Sequence, residues 1–146
     1  MRKFEIVKQY KDEKIPLPQR ATSKSAGYDL AAIEKITIKP GEIKLVPTGL
    51  KVLMPKDEVL LIFPRSSLAI KKGLMMSNGV GVIDADYYYA ANDGHISIPL
   101  YNIKNEDVII EKGERIAQGV FTKYFKVNND QPLTKTRNGG FGSTGK

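Results

Sequence analysis

The sequence predicts an all-β fold, either a sandwich or a barrel. Short apolar runs recur along the chain and are separated by glycine and proline residues, as strands are separated by turns. In HISIPLY (95–101), apolar and polar residues alternate with the period of two that a half-buried strand shows. At 146 residues the chain is long enough to bury one hydrophobic core and too short for two ordinary domains.

Seven segments are predicted as strands, and one as a helix. The strands are ITIK (36–39), EIKLVP (42–47), LKVLM (50–54), EVLLIF (58–63), HISIPLY (95–101), DVII (107–110) and RIAQGVFTKYF (115–125). SSLAIKKG (66–73) predicts a short helix, because serine caps the start of helices and glycine ends them. Since the last twenty residues are polar and glycine-rich, we expect a β-domain over 1–126 and a flexible carboxy-terminal arm over 127–146.

Charge and composition exclude several classes of site. The 23 Lys and Arg residues exceed the 16 Asp and Glu residues, but they are scattered, which favours a solvated basic surface over a nucleic-acid groove. The chain has no cysteine and one histidine, which excludes disulfides, thiolate catalysis and metal sites built from these residues. Any metal is therefore expected to be a hard cation bound by oxygen.

The hydropathy pattern predicts a cytoplasmic protein with no contact to membranes. The sequence lacks the run of about 18 apolar residues that a transmembrane helix needs, and its amino end, MRKFEIVKQYKDEK, is charged. We therefore expect neither a membrane span nor a secretory signal.

Two carboxylates, Asp84 and Asp86, directly follow the apolar run VGVI. A carboxylate beside apolar residues needs a partner or a function, because burial penalises its charge. One interpretation is a turn at a strand end, with local side-chain to backbone bonds. The other is that Asp84 is a base that polarises a water molecule.

PRSSLA (64–69) places a guanidinium and two hydroxyls, from Arg65, Ser66 and Ser67, at the start of the predicted helix. This combination favours oxyanions and indicates a phosphate site, although a surface arginine and an ordinary helix cap would look the same.

Gln118 breaks the pattern of the last predicted strand. It has the same parity as Ile116 and Val120, so it would point into the core unless Gly119 introduces a bulge.

The end of the chain, RNGGFGSTGK, has too few apolar side chains to order itself. It is either a frayed tail or a lid whose backbone N–H groups close around phosphate oxygens, beside Arg137, Ser143 and Thr144. The base, the arginine corner, the amide and the lid together suit attack on a polyphosphate.

Five segments resemble, in order, the motifs of the trimeric dUTP diphosphatase (dUTPase) family. They are AGYDLAA (26–32), PRSSLA (64–69), NGVGVIDADY (78–87), ERIAQGVF (114–121) and RNGGFGSTG (137–145). The resemblance implies a distorted β jelly roll that assembles as a homotrimer, with active sites between subunits. It also implies hydrolysis of dUTP to dUMP and pyrophosphate with Mg²⁺.

The resemblance implies roles for individual residues. Asp84 would be the general base for water attack on the α-phosphorus, Gln118 would assist it, and Asp29 would hold Mg²⁺ through water. The residues expected to contact the phosphates are Arg65, Ser66, Ser67, Gln118, Arg137, Ser143 and Thr144.

The same resemblance implies a pocket for uracil and deoxyribose. Asn78 would read the uracil edge, Tyr87 would lie under the sugar and exclude a 2′-hydroxyl, and Phe141 would cover the base. The residues expected to line this pocket are Asn78, Gly81, Ile83, Tyr87, Ser97, Phe141 and Gly142.

Two alternatives stay open. The family usually has one residue and then glycine after Tyr87, whereas here YYAAND intervenes, and this insert at 88–93 could bind a regulatory protein. GHISIPLYN (94–102) also resembles the related dCTP deaminases, but their proton-shuttling glutamate is replaced here by Pro99.

Overall fold

A computed structural model of the chain describes residues 1–134 and 136–137. In these residues ten strands form two four-stranded sheets and a two-stranded ribbon, in which every neighbouring pair is antiparallel. The strands are β1 Lys3–Ile6, β2 Tyr28–Ala31, β3 Ile36–Ile38, β4 Ile43–Leu53, β5 Glu58–Pro64, β6 Leu74–Met76, β7 Gly81–Asp84, β8 Ile96–Asn102, β9 Val108–Ile110 and β10 Arg115–Lys123. The all-β prediction is confirmed.

The two larger sheets have the strand orders β1-β4-β8-β6 and β2-β10-β5-β7, and β3 pairs with β9. The core contains side chains from the strands of both sheets. In β8, Ile96, Ile98 and Leu100 are 0, 1 and 0% exposed, and the residues between them are partly exposed. The alternation in the sequence therefore does reflect a strand with one buried face.

β4 corrects the prediction of two strands at 42–47 and 50–54. It is a single strand whose pairing with β8 shifts between Pro47 and Leu50. Gly49 lies at this irregularity with a φ of 74°. Its N–H donates to His95 Nε2 at 2.9 Å, and its carbonyl accepts from the N–H of Val7 at 3.0 Å. These bonds satisfy the backbone where the regular pairing is interrupted.

Four strands are not predicted from the sequence: β1, β2, β6 and β7. Each has three or four residues, and each lies at the edge of its sheet. An edge strand pairs on one side only and is often short, so its sequence carries little periodic signal.

The short helix is present at Leu68–Lys72, as a π-helical turn. Gly73 ends it with a left-handed φ of 66°, and its N–H donates to the carbonyl of Ala69, as expected. The serine cap is wrong: Ser67 precedes the turn, but its side chain makes no capping bond. Two further short helices, both 3₁₀, lie at Lys8–Tyr10 and Ala85–Tyr89.

β10 contains a bulge, but not at Gly119. Its register with β2 shifts between Arg115 and Ala117, so that Ile116 and Ala117 are both buried. Beyond the bulge the parity reverses, and Gln118 points away from the core. Gly119 is needed for close packing instead, because a Cβ there would lie 2.9 Å from Leu60 Cδ1.

The chain after β10 continues with no strand or helix among the described residues 124–134. Phe125 and Leu133 are 95 and 99% exposed there. No helix among the described residues is long and apolar enough to cross a membrane.

Candidate active site

The described residues predicted for catalysis and phosphate binding lie in two clusters at opposite ends of β5. β5 pairs with both β10 and β7. Arg65 directly follows its last residue, whereas Asp84 lies opposite Val59, near its first residue. At about 3.3 Å per residue, Arg65 and Asp84 are separated by roughly 20 Å along the strand. One chain therefore does not bring these two residues into a single site.

The first cluster, which we call the arginine cluster, consists of Asp29, Arg65, Arg115 and Gln118. Asp29 Oδ1 lies 3.3 Å from Arg65 Nε, and its Oδ2 lies 3.5 Å from Arg115 Nη1. Gln118 lies opposite Asp29 in the β10–β2 pair and donates from Nε2 to the carbonyl of Pro64 at 3.4 Å. Two guanidinium groups on one carboxylate leave an excess positive charge, which favours an anionic ligand.

Ser66 and Ser67 continue from Arg65 into the helical turn. Ser66 is exposed, and Ser67 is partly exposed. Their position beside the guanidinium of Arg65 is compatible with the phosphate corner predicted from PRSSLA.

The arginine cluster also bears on the predicted Mg²⁺. The side chain of Asp29 is 17% exposed and already has both oxygens beside arginines. The described residues contain no group of three or more His, Cys, Asp or Glu side chains that could hold a metal ion. Mg²⁺ keeps several waters and commonly binds through few carboxylates plus substrate phosphates. The donor set therefore fits an ion carried by phosphate and water, with Asp29 as an acceptor for one of the waters.

The second cluster, the carboxylate cluster, consists of Asp84, Asp86, Tyr87, Asn92 and Arg137. Arg137 donates from Nη2 to Asp84 Oδ2 at 2.5 Å and from Nε to Asp86 Oδ1 at 2.8 Å. Its Cζ lies 5.8 Å from the centre of the Tyr87 ring. Burial alone would lower the pKa of Arg137, but the bonds and charges of Asp86 and Asp84 raise it above its ordinary value. Arg137 is thus a cation bound to Asp84, the predicted base.

Asp84 has the exposure that a base needs. It precedes the 3₁₀ helix Ala85–Tyr89 but makes no side-chain capping bond, and its side chain is 53% exposed. Its bond to Arg137 is a long-range contact, unlike the local backbone bonds that the turn interpretation predicts for Asp84.

The hydroxyl of Tyr87 both donates and accepts a hydrogen bond. The ring residue is 5% exposed, and the hydroxyl donates to the carbonyl of His95 at 2.6 Å while it accepts from Asn92 Nδ2 at 2.8 Å. Burial raises the pKa of Tyr87, so the hydroxyl keeps its proton.

The predicted uracil residues lie along the β6–β7 turn and its neighbours. Asn78 is exposed in that turn, and Gly81 is buried opposite Ile62, where a Cβ would lie 3.2 Å from Ile62 Cβ. Ile83 is 5% exposed and packs in the core, so only its backbone is available to a ligand. Ser97 lies on the partly exposed face of β8. Phe141, Gly142, Ser143 and Thr144 lie outside the described residues.

Three residues of these clusters were not selected from the sequence: Arg115, Asn92 and Asp86 as a partner of Arg137. Arg115 begins a strand that carries Gln118, and a charged residue at a strand start could have been noted. Asn92 gives no such signal, since its contact with Tyr87 depends on the turn that follows the insert.

Known proteins resemble this chain over nearly its whole length. A model of the dUTPase family matches residues 13–145. The chain belongs to the dUTPase family. This dUTPase is 50% identical to the deoxyuridine 5′-triphosphate nucleotidohydrolase of Lactococcus lactis subsp. lactis, over 99% of this chain and 98% of that protein. It is also 47% identical to the corresponding enzyme of Rickettsia felis, over 88% of each chain. The predicted family and enzyme class are confirmed.

Solved structures support the fold. The crystal structure of the dUTPase from Streptococcus mutans matches with a TM-score of 0.83 and 46% identity, over 86% of this chain and 98% of that one. A variant dUTPase from phage phi11 of S. aureus, which coordinates a structural Mg(II) ion, matches with a TM-score of 0.74 at 20% identity, over 92% and 98% of the two chains. At that identity the match shows the fold alone.

Proposed function

We propose that this dUTPase hydrolyses dUTP to dUMP and pyrophosphate, and that each active site combines the carboxylate cluster of one chain with the arginine cluster of another. The likeness to the L. lactis nucleotidohydrolase, which extends over nearly all of both chains, supports the substrate. The observation that carries the arrangement is the separation of Arg65 and Asp84 by the length of β5.

In the proposed mechanism Asp84 accepts a hydrogen bond from a water molecule and orients it toward the α-phosphorus. As the water oxygen bonds to phosphorus, its proton passes to Asp84, the bond from phosphorus to the bridging oxygen breaks, and pyrophosphate leaves. Arg65 and Gln118 donate to the phosphate oxygens and stabilise the charge that develops there. Ser66 and Ser67 add donors beside them.

We propose a homotrimer as the assembly that joins the two clusters. The outer face of the sheet that contains β4, β6 and β8 supports self-association. Tyr101 pairs with Ile43 on one side and Met75 on the other, and Leu45 pairs with Pro99. Ile43, Leu45 and Met75 are 58, 55 and 49% exposed, and a contiguous apolar row of this kind is typical of a protein interface.

Magnesium is the proposed cofactor. Bound to the triphosphate, it would neutralise phosphate charge, with Asp29 accepting from one of its waters.

The nucleoside is proposed to lie against Asn78, Gly81, the backbone of Ile83, Tyr87 and Ser97. Arg137 covers the ring of Tyr87 and must leave before a sugar can approach it. Released from the carboxylates, Arg137 would be free to contact phosphate together with Ser143 and Thr144, while Phe141 and Gly142 would close over the base. The β-domain at 1–126, the arm at 127–146 and action in the cytoplasm stay predictions.

The test is a turnover assay with dUTP, UTP, dTTP and dCTP, with and without Mg²⁺, which measures pyrophosphate and ammonia. We expect pyrophosphate from dUTP alone, with Mg²⁺ required for the full rate. Pyrophosphate from all four nucleotides would contradict the uracil and deoxyribose pocket. Light scattering after size exclusion checks the trimer, and an active monomer would exclude a site shared between chains.

Deamination of dCTP is the competing reaction. Pro99, which replaces the deaminase glutamate, lies on the outer, partly exposed face of β8 opposite Leu45. Proline transfers no proton, so we expect no ammonia from dCTP.

A protein partner at the insert 88–93 also stays a prediction. Tyr88 is partly buried and its hydroxyl donates to Glu5, whereas Tyr89 is 74% exposed and available to a partner.

A further inference from the structure

The insert after Tyr87 is anchored to the rest of the domain on one side. Asp93 Oδ1 lies 2.7 Å from Lys51 Nζ, and its Oδ2 accepts from the N–H of Lys8 at 2.8 Å. The ammonium of Lys51 also lies 3.9 Å from the centre of the Tyr88 ring, and the Tyr88 hydroxyl donates to Glu5 at 2.9 Å. Four contacts to β1, β4 and the chain between β1 and β2 thus fix the insert in place.

The insert ends in a left-handed turn that restricts which residues fit. Asp93 and Gly94 both have a left-handed φ, of 63° and 65°. A Cβ on Gly94 would lie 2.7 Å from the carbonyl oxygen of Tyr87, so a larger residue is excluded there. The strain at Asp93 is offset by its bonds to Lys51 and Lys8.

This turn sets the orientation of the Asn92 amide. Gly94 N–H donates to Asn92 Oδ1 at 3.2 Å, which identifies the oxygen side of the amide. The nitrogen side then faces Tyr87, and Nδ2 donates to the Tyr87 hydroxyl at 2.8 Å. Because the hydroxyl accepts from Asn92, its own proton is directed to the carbonyl of His95, at 2.6 Å.

We propose that Asn92 is a positioning residue that fixes the Tyr87 ring and thereby sets how strongly the enzyme prefers dUTP to UTP. This rests on the proposed function, in which Tyr87 lies under the deoxyribose. Exclusion of one added hydroxyl group requires a ring that does not move, since a displacement of less than an ångström would admit it. Asn92 and His95 hold the hydroxyl end of the ring from two directions, and the anchored insert holds Asn92.

The experiment measures kcat/KM for dUTP and for UTP in wild type, Asn92→Ala, Asn92→Asp and the control Tyr88→Phe. Asn92→Ala removes both bonds of the amide. Asn92→Asp keeps an oxygen for the N–H of Gly94 but no longer donates to Tyr87. Tyr88→Phe removes one hydrogen bond of the same insert, to Glu5, without a change at Tyr87.

We expect the ratio of kcat/KM for dUTP to that for UTP to fall about tenfold in both Asn92 variants, as is usual for loss of one positioning hydrogen bond. Tyr88→Phe should keep the wild-type ratio. The melting temperature should fall more in Asn92→Ala than in Asn92→Asp, because only the former loses the bond from Gly94.

Three results would overturn the assignment. An unchanged ratio in both Asn92 variants, with a lowered melting temperature, means that Asn92 only stabilises the turn. An equal fall of the dUTP to UTP ratio in Tyr88→Phe means that any change in the insert lowers the preference for dUTP, and that Asn92 has no specific role. A wild type that does not hydrolyse dUTP removes the proposed function itself, and the role of Asn92 with it.

Discussion

The arginine cluster and the carboxylate cluster, at the two ends of β5, are held together in different ways. In the arginine cluster, Gln118 lies opposite Asp29 in strand register, and Arg65 follows the strand that pairs with the same residues of β10. In the carboxylate cluster, Arg137 and Asn92 come from irregular segments and act through side chains. Backbone pairing therefore fixes the residues of the arginine cluster, whereas the carboxylate cluster depends on side-chain contacts from irregular segments.

The largest effect is expected at the acidic end, in Asp84→Asn. The amide keeps the size of the side chain but cannot accept the proton of the attacking water, so turnover should fall by about 10² to 10⁴ while the protein stays folded. Pyrophosphate release from dUTP measures this. Asp86→Asn is the matched control, because Asp86 has similar exposure, 55% against 53%, and the same partner, Arg137. Equal losses in the two variants would mean that the charge of the pair matters and not a base at Asp84.

The second prediction tests whether Asp84 and Arg65 of one active site belong to different chains. Asp84→Asn and Arg65→Ala should each be nearly inactive alone. Co-refolded at equal amounts, they should recover about a quarter of wild-type activity. In a random oligomer, about a quarter of the shared sites receive an intact Asp84 from an Arg65→Ala chain and an intact Arg65 from an Asp84→Asn chain. Each variant refolded alone is the control. No recovery in verified mixed oligomers would place both residues of a site on one chain and refute the shared site.

These two ends also show what the sequence could predict. The chemistry of Asp84, Arg65 and Gln118 could be selected from residue type and from family resemblance, and their roles stay predictions. The contact of Arg137 with Asp84 spans 53 positions and depends on tertiary structure. The bond from Asn92 depends on a left-handed turn that no periodicity reveals.

The same limit applies to the fold. The central strands β5, β8 and β10 are predicted from the sequence, since they carry apolar side chains for a buried face, whereas β4 is predicted as two strands. The edge strands of the two larger sheets are not predicted. A bulge is considered only at Gly119, whereas the register shifts between Arg115 and Ala117.

The third prediction concerns the arm. Truncation before Arg137 should leave a folded oligomer with little change in melting temperature, since the described ion pairs that it removes join Arg137 to the half-exposed carboxylates of Asp84 and Asp86. Activity should fall by about 10², the effect typical of losing an element that positions the substrate. An Arg137→Ala variant separates the guanidinium from the rest of the arm. Normal activity after truncation would show that the arm has no role in catalysis.

A smaller effect is expected at the cationic end, in Arg65→Lys. Lysine keeps the charge but loses the planar pair of donors, so kcat/KM for dUTP should fall by about 10-fold to 100-fold, in line with a lost charged hydrogen bond of about 1.5–3 kcal/mol. Arg2→Lys is the control, because Arg2 pairs with Glu58 at the other end of β5. An unchanged kcat/KM in Arg65→Lys would indicate that Arg65 acts only by charge, as a partner of Asp29.

The smallest effect is a pH dependence of stability at His95, whose carbonyl supports Tyr87. His95 Nε2 accepts from the N–H of Gly49 at 2.9 Å, which requires an unprotonated nitrogen. Burial lowers the pKa of His95 below 6.5, although the charges of Asp93 and Glu34 oppose this. The unfolded chain therefore binds more protons than the folded one as pH falls below 6.5, and the folded state loses stability between that pH and the lowered pKa.

We expect the melting temperature to fall by a few degrees from pH 7 to pH 5. In His95→Gln, whose amide oxygen can accept from Gly49 without titrating, that fall should be smaller. If wild type and His95→Gln lost stability in parallel over this range, the pH dependence of stability would come from other groups. The bond from Gly49 to the neutral imidazole of His95 would then not be its cause.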